Sequence, residues 1–389
     1  MKLAIFGVRD AGYVKEQVER NTGGLWEVVI LADNKEELWD TEMDLSENKK
    51  VKIISCQALS ERYHRGEIDG VLVAVRNGHN RWCIADQLQK AGITKVGLVK
   101  PSAITYRWPI VFSENQDSSL RTEQIVWMDE VKKPMIHYLE IHAIDSCNLN
   151  CKGCLHFSSL YHHSERPDID QLIRDVHQLS KLCYIFHLRV LGGEPLLNPD
   201  LDILLKKLRD TLPDTDIGIV TNGTLITRQK KELFETMKEN KIGFNITLYP
   251  PTHEKKEEIY RFLDEVGVSY GSHLAKVDEF SKGLMAEPKK GRITSHMKCV
   301  SKNCFFLREG KLYKCAVEAL INRFYETYNM DLRMDTGLDI YNETLDWGKI
   351  IPGMYEHPVS LCRYCSDEPQ AFTWGVANPP KKEEWMVEV

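Results

Sequence analysis

Cysteine is the residue type whose spacing in this sequence suggests chemistry. Of the 11 cysteines, three stand close together in the stretch DSCNLNCKGC, as Cys147, Cys151 and Cys154. Clustered cysteines in a reducing compartment indicate metal binding rather than disulfides. Three thiolates spaced C-x3-C-x2-C can hold three irons of a cubane iron–sulfur cluster. No fourth cysteine lies nearby, so one iron would keep an open position for a ligand, as catalytic metal sites do. A zinc site is the alternative.

A second group of cysteines lies towards the C-terminus. Cys299 and Cys315 bracket Gly310 in the pattern C-x10-G-x4-C, and Cys362 and Cys365 form a C-x2-C pair. Glu309-Gly310 lies between two apolar runs and predicts a hairpin. Four of these thiolates could surround a second cluster or a zinc ion. Cys304 competes for one of the four places.

Two glycine-containing turns follow predicted strands and add polar groups to the first cysteine group. One turn is Gly192-Gly193-Glu194-Pro195, where the glycines permit close backbone approach and Glu194 can accept hydrogen bonds from an amino group. The other contains Thr221 and Asn222 before Gly223; its simplest interpretation is an ordinary Asn-Gly turn. Both turns are candidates for ligand contact.

The elements that carry these turns alternate between strand and helix. From about residue 136, apolar strands ending in polar turns are each followed by a helical pattern, which predicts an α/β fold with its chemistry at the C-terminal ends of the strands. We expect a partial (β/α)6 TIM-like barrel over 136–290 and a small cluster-binding domain over 291–389.

The N-terminal part has its own strand and helix rhythm. Residues 1–105 predict a Rossmann-like, doubly wound parallel sheet, and 106–135 an irregular connector. Gly7 and Gly12 remain of the dinucleotide fingerprint, but Arg9 replaces its middle glycine, which makes ordinary NAD binding doubtful. Asp33 stands where a ribose-binding acid would, although a strand-end cap is the simpler interpretation.

Composition narrows the class of protein. The 389 residues are 42% hydrophobic and 28% charged, with a net charge of −6, which gives no indication of nucleic-acid binding. No apolar run approaches the roughly 20 residues of a membrane helix, and the N-terminus lacks the features of a signal peptide. We therefore expect a cytoplasmic protein that binds neither membrane nor nucleic acid.

The C-x3-C-x2-C motif, GGEP at 192–195 and the TNG turn at 221–223 together resemble the radical S-adenosylmethionine (SAM) superfamily. The resemblance implies that Cys147, Cys151 and Cys154 hold a [4Fe–4S] cluster whose open iron binds SAM. An electron from the cluster then yields a 5′-deoxyadenosyl radical. It also implies that Gly192, Gly193, Glu194, Thr221 and Asn222 contact SAM. One departure is Gly153, where the family commonly has an aromatic residue that packs the adenine; Phe157 or His156 could replace it.

The C-terminal cysteines resemble the twitch half of the SPASM extension, which holds one auxiliary [4Fe–4S] cluster. The resemblance implies Cys299, Cys315, Cys362 and Cys365 as its ligands and electron transfer as its role. Cys304 would then remain a free thiol near the cavity, available as a hydrogen-atom donor.

An auxiliary cluster with four protein ligands is similar to that of radical SAM alcohol dehydrogenases. The implied reaction oxidises an alcohol carbon of a carbohydrate or nucleotide-linked carbohydrate to a ketone, with an electron donor such as flavodoxin or ferredoxin. The candidate bases flank the first cysteine group as His142, Asp145 and His156. The alternatives are a sugar epimerase, a peptide- or protein-modifying enzyme and an iron–sulfur electron carrier.

Overall fold

The structure, a computed structural model, describes residues 1–46, 49–108, 110, 112–113, 121–162, 165–272, 276–290, 293–334 and 336–388. The chain separates into two compact units, Met1–Lys133 and Pro134–Val389, and each is described by itself. Within the described part, no helix combines the length and apolar character needed to cross a bilayer.

The first unit is a layered α/β domain. Its strands are β1 (Lys2–Phe6), β2 (Glu27–Ala32), β3 (Glu42–Ser46), β4 (Lys49–Ile54), β5 (Gly70–Val73), β6 (Val96–Val99), β7 (Phe112–Ser113), β8 (Arg121–Thr122) and β9 (Ile125–Trp127). Its helices are α1 (Ala11–Asn21), α2 (Cys56–His64), α3 (Gly78–Lys90) and α4 (Pro101–Thr105).

The main sheet of this unit has the strand order β3-β4-β2-β1-β5-β6-β9. The five strands from β4 to β6 are parallel, and β3 and β9 pair antiparallel at the two edges. The order reverses at β1, as in doubly wound folds. The predicted doubly wound parallel sheet is therefore confirmed.

The second unit contains both cysteine groups. Its strands are β10 (Met135–Ile136), β11 (Leu139–Ile144), β12 (Tyr184–Ile185), β13 (His187–Gly192), β14 (Asp216–Thr221), β15 (Gly243–Ile246), β16 (Tyr270–Gly271), β17 (Glu279–Leu284), β18 (Phe305–Arg308), β19 (Lys311–Tyr313), β20 (Leu338–Asp339) and β21 (Cys365–Thr373). Its helices are α5 (Ile169–Leu182), α6 (Leu201–Thr211), α7 (Lys231–Glu239), α8 (Pro250–Glu254), α9 (Lys256–Val266), α10 (Ser295–Lys298), α11 (Ala316–Thr327) and α12 (Trp347–Glu356).

The largest sheet of this unit has the order β16-β15-β14-β13-β11-β18-β19-β20. The strands from β16 to β18 are parallel, and β19 and β20 extend the sheet antiparallel. Strands joined by α5, α6 and α7 give the parallel series of a partial TIM-like barrel, and the described strands do not close into a ring. The predicted hairpin is present as β18–β19, with Glu309 and Gly310 in the left-handed region (φ 50° and 71°).

The two faces of the parallel strands differ in character. One face carries apolar residues such as Ile141, Val190 and Ile219, which suit the apolar faces of α5 to α7. The opposite face carries polar side chains on three adjacent strands. These are Tyr138, Glu140, His142, His187, Arg189 and Asp216. The barrel-type sheet thus presents a polar face away from its helices.

Candidate functional site

The first cysteine group begins three residues after β11, at the carboxyl end of the parallel sheet. Burial raises the pKa of Cys147 and of Cys151 to about 12, and the negative charge of neighbouring thiolates adds to the rise. Cys154 contributes to both shifts, so the three thiols lie close together. Buried thiols that oppose one another's ionisation need a cation to become thiolates, and iron provides it.

Nitrogen donors surround two of these thiols. The backbone N–H of Leu149 lies 3.5 Å from the Cys147 sulfur, and Nδ2 of Asn222 lies 3.8 Å from the same atom. Nε1 of Trp374 donates to the Cys151 sulfur at 3.1 Å. Hydrogen bonds to sulfur stabilise thiolate charge and are typical of iron–sulfur ligands. The donor set therefore fits a cluster.

The GGEP turn packs directly on the backbone of the cysteine loop. A Cβ at Gly192 would overlap the carbonyl oxygen of Ile144, and one at Gly193 the carbonyl oxygen of Ser146. The N–H of Gly193 donates to Ile144 O at 2.9 Å, and that of Glu194 to Ser146 O at 3.0 Å. Contact between two backbone segments, rather than approach to a ligand, is what excludes a side chain at both glycines.

Glu194 is a completely buried carboxylate, with 0% of its surface exposed. It accepts hydrogen bonds from Thr221 Oγ1 (2.6 Å) and from the backbone N–H groups of Asn222 (2.8 Å) and Leu196 (3.1 Å). Burial raises its pKa to about 7, although these hydrogen bonds oppose the rise. All three partners are neutral, and a carboxylate has about four acceptor sites. One acceptor site is therefore left for a further donor, which fits the amino group of SAM.

The side chains of the TNG turn form hydrogen bonds with other residues of the protein. The Thr221 hydroxyl donates to Glu194 and accepts from Gly223 N (2.9 Å). The Asn222 amide donates to Asn148 Oδ1 at 2.8 Å, and its Oδ1 accepts from Thr224. These bonds tie the turn to Glu194 and to the cysteine loop. The structure thus shows Thr221 and Asn222 orienting the site, while their predicted contacts with SAM stay a prediction.

The expectation that Phe157 packs the adenine is wrong. Phe157 is 0% exposed and lies in a core cluster against Phe324 and Trp385, with ring centroids 5.5 and 5.9 Å away. Its ring has no face open to a ligand. Gly153 explains the departure from the family pattern, because a Cβ there would lie 2.7 Å from the Glu384 carbonyl oxygen and 2.9 Å from the Phe372 ring.

The three candidate bases form one chain of hydrogen bonds. His142 Nδ1 lies 2.7 Å from Asp145 Oδ1, and His142 Nε2 lies 2.9 Å from His156 Nδ1. Arg308 binds both oxygens of Asp145, at 2.8 and 3.2 Å. Burial would raise the pKa of Asp145, but His142 and Arg308 hold it well below its usual range. Burial lowers the pKa of both histidines, to about 3 for His156, so both are neutral.

A polar group that the sequence reasoning missed lies on the same sheet face. Tyr138 donates to Glu140 Oε1 at 2.8 Å, and the Arg189 guanidinium lies 5.6 Å from the Tyr138 ring centroid. Arg189 Nε donates to His187 Nε2 at 2.7 Å. Burial raises the pKa of Glu140 to about 7, although Tyr138 and Arg189 oppose it. The period-two pattern Tyr138, Glu140, His142 in a buried strand was the available signal.

In the second cysteine group, Cys299 is a neighbour of the other four thiols. The charges of Cys365 and Cys299 add to the burial that raises the pKa of Cys315, and those of Cys362 and Cys299 act in the same way on Cys365. Cys304 has different neighbours: burial raises its pKa, and Glu140 and Cys299 add to the rise while Arg189 opposes it. Cys304 thus lies beside the polar sheet face and also near Cys299, and the choice of Cys299 rather than Cys304 as a cluster ligand stays a prediction.

Neither cysteine group forms a ligand site for a single metal ion among the described residues. Across the described residues, no three His, Cys, Asp or Glu side chains converge as ligands of a single ion. Thiolates around one zinc lie about 4 Å apart, because each Zn–S bond is about 2.3 Å long. A cubane binds each cysteine through a different iron and keeps the sulfurs farther apart.

In the first unit, Asp33 caps a turn. Its Oδ2 accepts from Val8 N at 3.2 Å and its Oδ1 from Lys35 N at 3.1 Å. Gly7 (φ 98°) lies where a Cβ would be 2.8 Å from Val75 Cγ2, and Gly12 is the second residue of α1. These contacts support the capping interpretation of Asp33.

Comparison with known proteins agrees with the geometry of the second unit. The model of the Radical SAM superfamily matches residues 141–275. A GTP 3',8-cyclase from Clostridium perfringens (strain SM101 / Type A) is 30% identical over 135 residues, which are 34% of this chain and 41% of that protein. One from Desulforamulus reducens is 30% identical over 132 residues, 33% and 40% of the two chains. The chain thus spans about two fifths of the length of these curated relatives.

Among solved structures, BtrN in complex with AdoMet and 2-DOIA aligns with 61% of this chain and 98% of its own, at 18% identity and a TM-score of 0.37. Structural similarity at this level supports no inference about activity. Domains of the matched superfamily use SAM and a [4Fe–4S] cluster, and the buried thiols and Glu194 fit both groups. The second unit of this chain therefore contains a radical SAM domain over residues 141–275.

Proposed function

We propose that the chain is a radical SAM oxidoreductase that converts an alcohol carbon of a carbohydrate, free or nucleotide-linked, into a ketone. The observation that supports oxidation is the second cysteine group, in which Cys299 lies near Cys315, Cys362 and Cys365, enough thiols to bind every iron of an auxiliary cluster. A cluster in which every iron has a protein ligand has no open iron for substrate, so it can only exchange electrons.

The two cofactors would divide the chemistry between them. Cys147, Cys151 and Cys154 would hold the SAM cluster, and Glu194 would receive the amino group of SAM. When bound, this pair supplies a hydrogen-abstracting 5′-deoxyadenosyl radical. The four C-terminal cysteines would hold an auxiliary cluster, which supplies an acceptor for the second electron. An external donor such as flavodoxin or ferredoxin would reduce the first cluster.

The substrate hydroxyl also loses a proton, and the histidine chain is ordered to receive it. Asp145, ionised and held by Arg308, accepts the Nδ1 hydrogen of His142. Because His142 is neutral, its Nε2 can only accept, and His156 Nδ1 is the donor in that bond. The remaining nitrogen, His156 Nε2, therefore presents a lone pair. This order makes His156 the candidate base by geometry, although burial lowers its pKa to about 3 and makes it a weak one.

The polar sheet face supports a hydroxyl-rich substrate. Glu140, Arg189 and Tyr138 form a linked group of acceptors and donors in a buried setting. Buried polar groups of this kind require hydrogen-bonding partners, and carbohydrate hydroxyls can act as both donors and acceptors.

A sugar epimerase is the second candidate, because of the position of Cys304. Its thiol lies beside Glu140 and Arg189 on the same polar face as the histidine chain. An epimerase returns a hydrogen atom to the carbon that lost one, and a free thiol can donate it. Oxidation and epimerisation thus make opposite predictions for the C304A variant.

The test uses anaerobically reconstituted full-length protein with dithionite and SAM. Formation of 5′-deoxyadenosine is expected, and its absence in the C147A/C151A/C154A variant is the control. A cluster whose spectrum ignores SAM would indicate an electron carrier instead.

Nucleotide sugars are then supplied in deuterated water, with the wild type and C304A side by side. A ketone product that C304A still forms supports the dehydrogenase. If the wild type incorporates solvent deuterium at a substrate carbon and C304A does not, the enzyme is an epimerase rather than a dehydrogenase. Conversion of a peptide and of none of the sugars would overturn both.

A further inference from the structure

The C-terminal end of the chain returns to the cysteine loop of the radical SAM domain. After β21, the N–H of Lys152 donates to Gly375 O at 2.9 Å, and the N–H of Ala377 donates to Asn150 O at 2.8 Å. These bonds form an antiparallel bridge between Cys151 and Val376. Two segments more than 200 residues apart are thus joined on both sides of one proposed iron ligand.

The cysteine loop is shaped to admit this segment. Gly153 has φ +62°, and a side chain there would meet the Glu384 carbonyl oxygen and the Phe372 ring. Trp385 Nε1 also donates to Cys154 O at 2.8 Å. A glycine at position 153 therefore fits a loop that the C-terminal segment covers closely.

An aromatic group fixes the orientation of Trp374 within this segment. Its ring stacks on Tyr249, with centroids 5.9 Å apart and planes 21° apart. Tyr249 in turn meets Phe280 edge to face, and Phe280 meets Phe372 in the same way. Because its ring is held on one side, the indole N–H is aimed at the Cys151 sulfur, 3.1 Å away.

We propose that Trp374 is a positioning residue of the SAM cluster, whose indole N–H bonds the Cys151 thiolate and raises the reduction potential of that cluster. The proposal rests on the proposed function in one respect, that Cys151 is an iron ligand. Reduction adds negative charge to the cluster and its sulfurs, and a hydrogen bond to sulfur stabilises the reduced state more than the oxidised one. Its loss makes reduction harder.

The test compares W374F with W385F in the reconstituted full-length protein. Phenylalanine keeps an aromatic ring at 374 but removes the N–H. The matched control removes an indole donor from the same loop, but one that bonds the backbone oxygen of Cys154 rather than sulfur. Iron content, SAM affinity and the midpoint potential by electron paramagnetic resonance are measured for each.

We expect W374F to keep its iron and its SAM affinity while the equilibrium constant for reduction falls about tenfold, which is about 59 mV for a one-electron couple. W385F should leave the potential unchanged. An unshifted potential in W374F, or an equal shift in both variants, overturns the inference and leaves the proposed function standing. Cysteine variants of residues 147, 151 and 154 that keep the cluster would instead overturn the proposed function.

The ring of Trp374 could also be needed for assembly, and the W374H variant separates that role from the N–H. If W374F loses iron and W374H, which keeps a ring N–H, retains it, the hydrogen bond is supported. Equal loss of iron in both variants overturns the inference, because ring packing would then be what holds the cluster.

Discussion

Glu194 has a raised pKa because it is buried without a cation among its hydrogen-bond partners. Its pKa of about 7 means that it is largely protonated at pH 6 and largely ionised at pH 8. The ionised form accepts a hydrogen bond from the SAM amino group better, so binding should strengthen as the pH rises. We expect SAM affinity to increase about tenfold more between pH 6 and pH 8 in the wild type than in E194Q.

Isothermal titration of the reconstituted protein at several pH values measures this difference. The amino group of SAM titrates in the same range, and comparison with E194Q removes its contribution, since both proteins bind the same ligand. Parallel pH profiles for the two proteins would show that Glu194 acts only by holding Thr221 and Asn222 in place.

The assignment of Cys299 rather than Cys304 to the auxiliary cluster is also tested at single residues. Cys299 lies near Cys315 and Cys365, whereas Cys304 lies near Glu140 and Cys299, so we expect only the first substitution to remove a ligand. We expect C299A to contain about one to four irons fewer than the wild type, because one iron of the cluster loses its thiolate, and C304A to contain the same number as the wild type. Iron and sulfide analysis measures this; the reverse pattern would exchange the two roles.

At the scale of elements, the junction between β11 and β13 determines the shape of the site. The turn after β13 touches the loop after β11 through backbone atoms, and a Cβ at Gly193 has no space beside Ser146. We expect G193A to displace the cysteine loop, lower the free energy of unfolding by about 3 kcal/mol or more and reduce cluster content.

The matched control is G283A in β17, where the nearest atom to an added Cβ is 3.7 Å away, on Pro369. Thermal melting and iron content, measured together, distinguish the two variants. A G193A protein with wild-type stability and cluster content would show that the close approach of the two turns is not required.

Elements with local signals could be predicted from the sequence. The alternation of strands and helices, the hairpin at Glu309-Gly310 and the two polar turns depend on nearby residues and are present as expected. The prediction of an irregular connector over 106–135 is wrong in part, because β9 lies there and pairs with β6 at the edge of the first sheet. The position of Phe157 could not be predicted in this way, because closeness to Cys154 in sequence does not place its ring beside the ligand. Its packing against Trp385 depends on the distant C-terminal segment. No local pattern shows that such a segment returns, although Gly153 marks the space it needs.

At the scale of the whole molecule, the chain has two compact units, and the proposed cluster ligands lie in the second. Every proposed cluster ligand, from Cys147 to Cys365, lies in the second unit, and the first unit has its own core around Leu3, Val28 and Leu72. A destabilising substitution in the first unit should therefore lower the free energy of unfolding of that unit without reducing the cofactor content of the protein.

Substitution of Gly7 by alanine is such a change. Gly7 adopts φ 98°, a conformation unfavourable for L-residues, and a Cβ there would lie 2.8 Å from Val75 Cγ2, so G7A should destabilise the first unit by about 2–4 kcal/mol. G12A, at an open position of α1, should be neutral or slightly stabilising because alanine favours helix over glycine. Hydrogen exchange of β1 and β5 measures the first effect, and iron and SAM binding should equal those of the wild type in both variants. Loss of iron in G7A but not in G12A would mean that the cluster sites depend on the stability of the first unit.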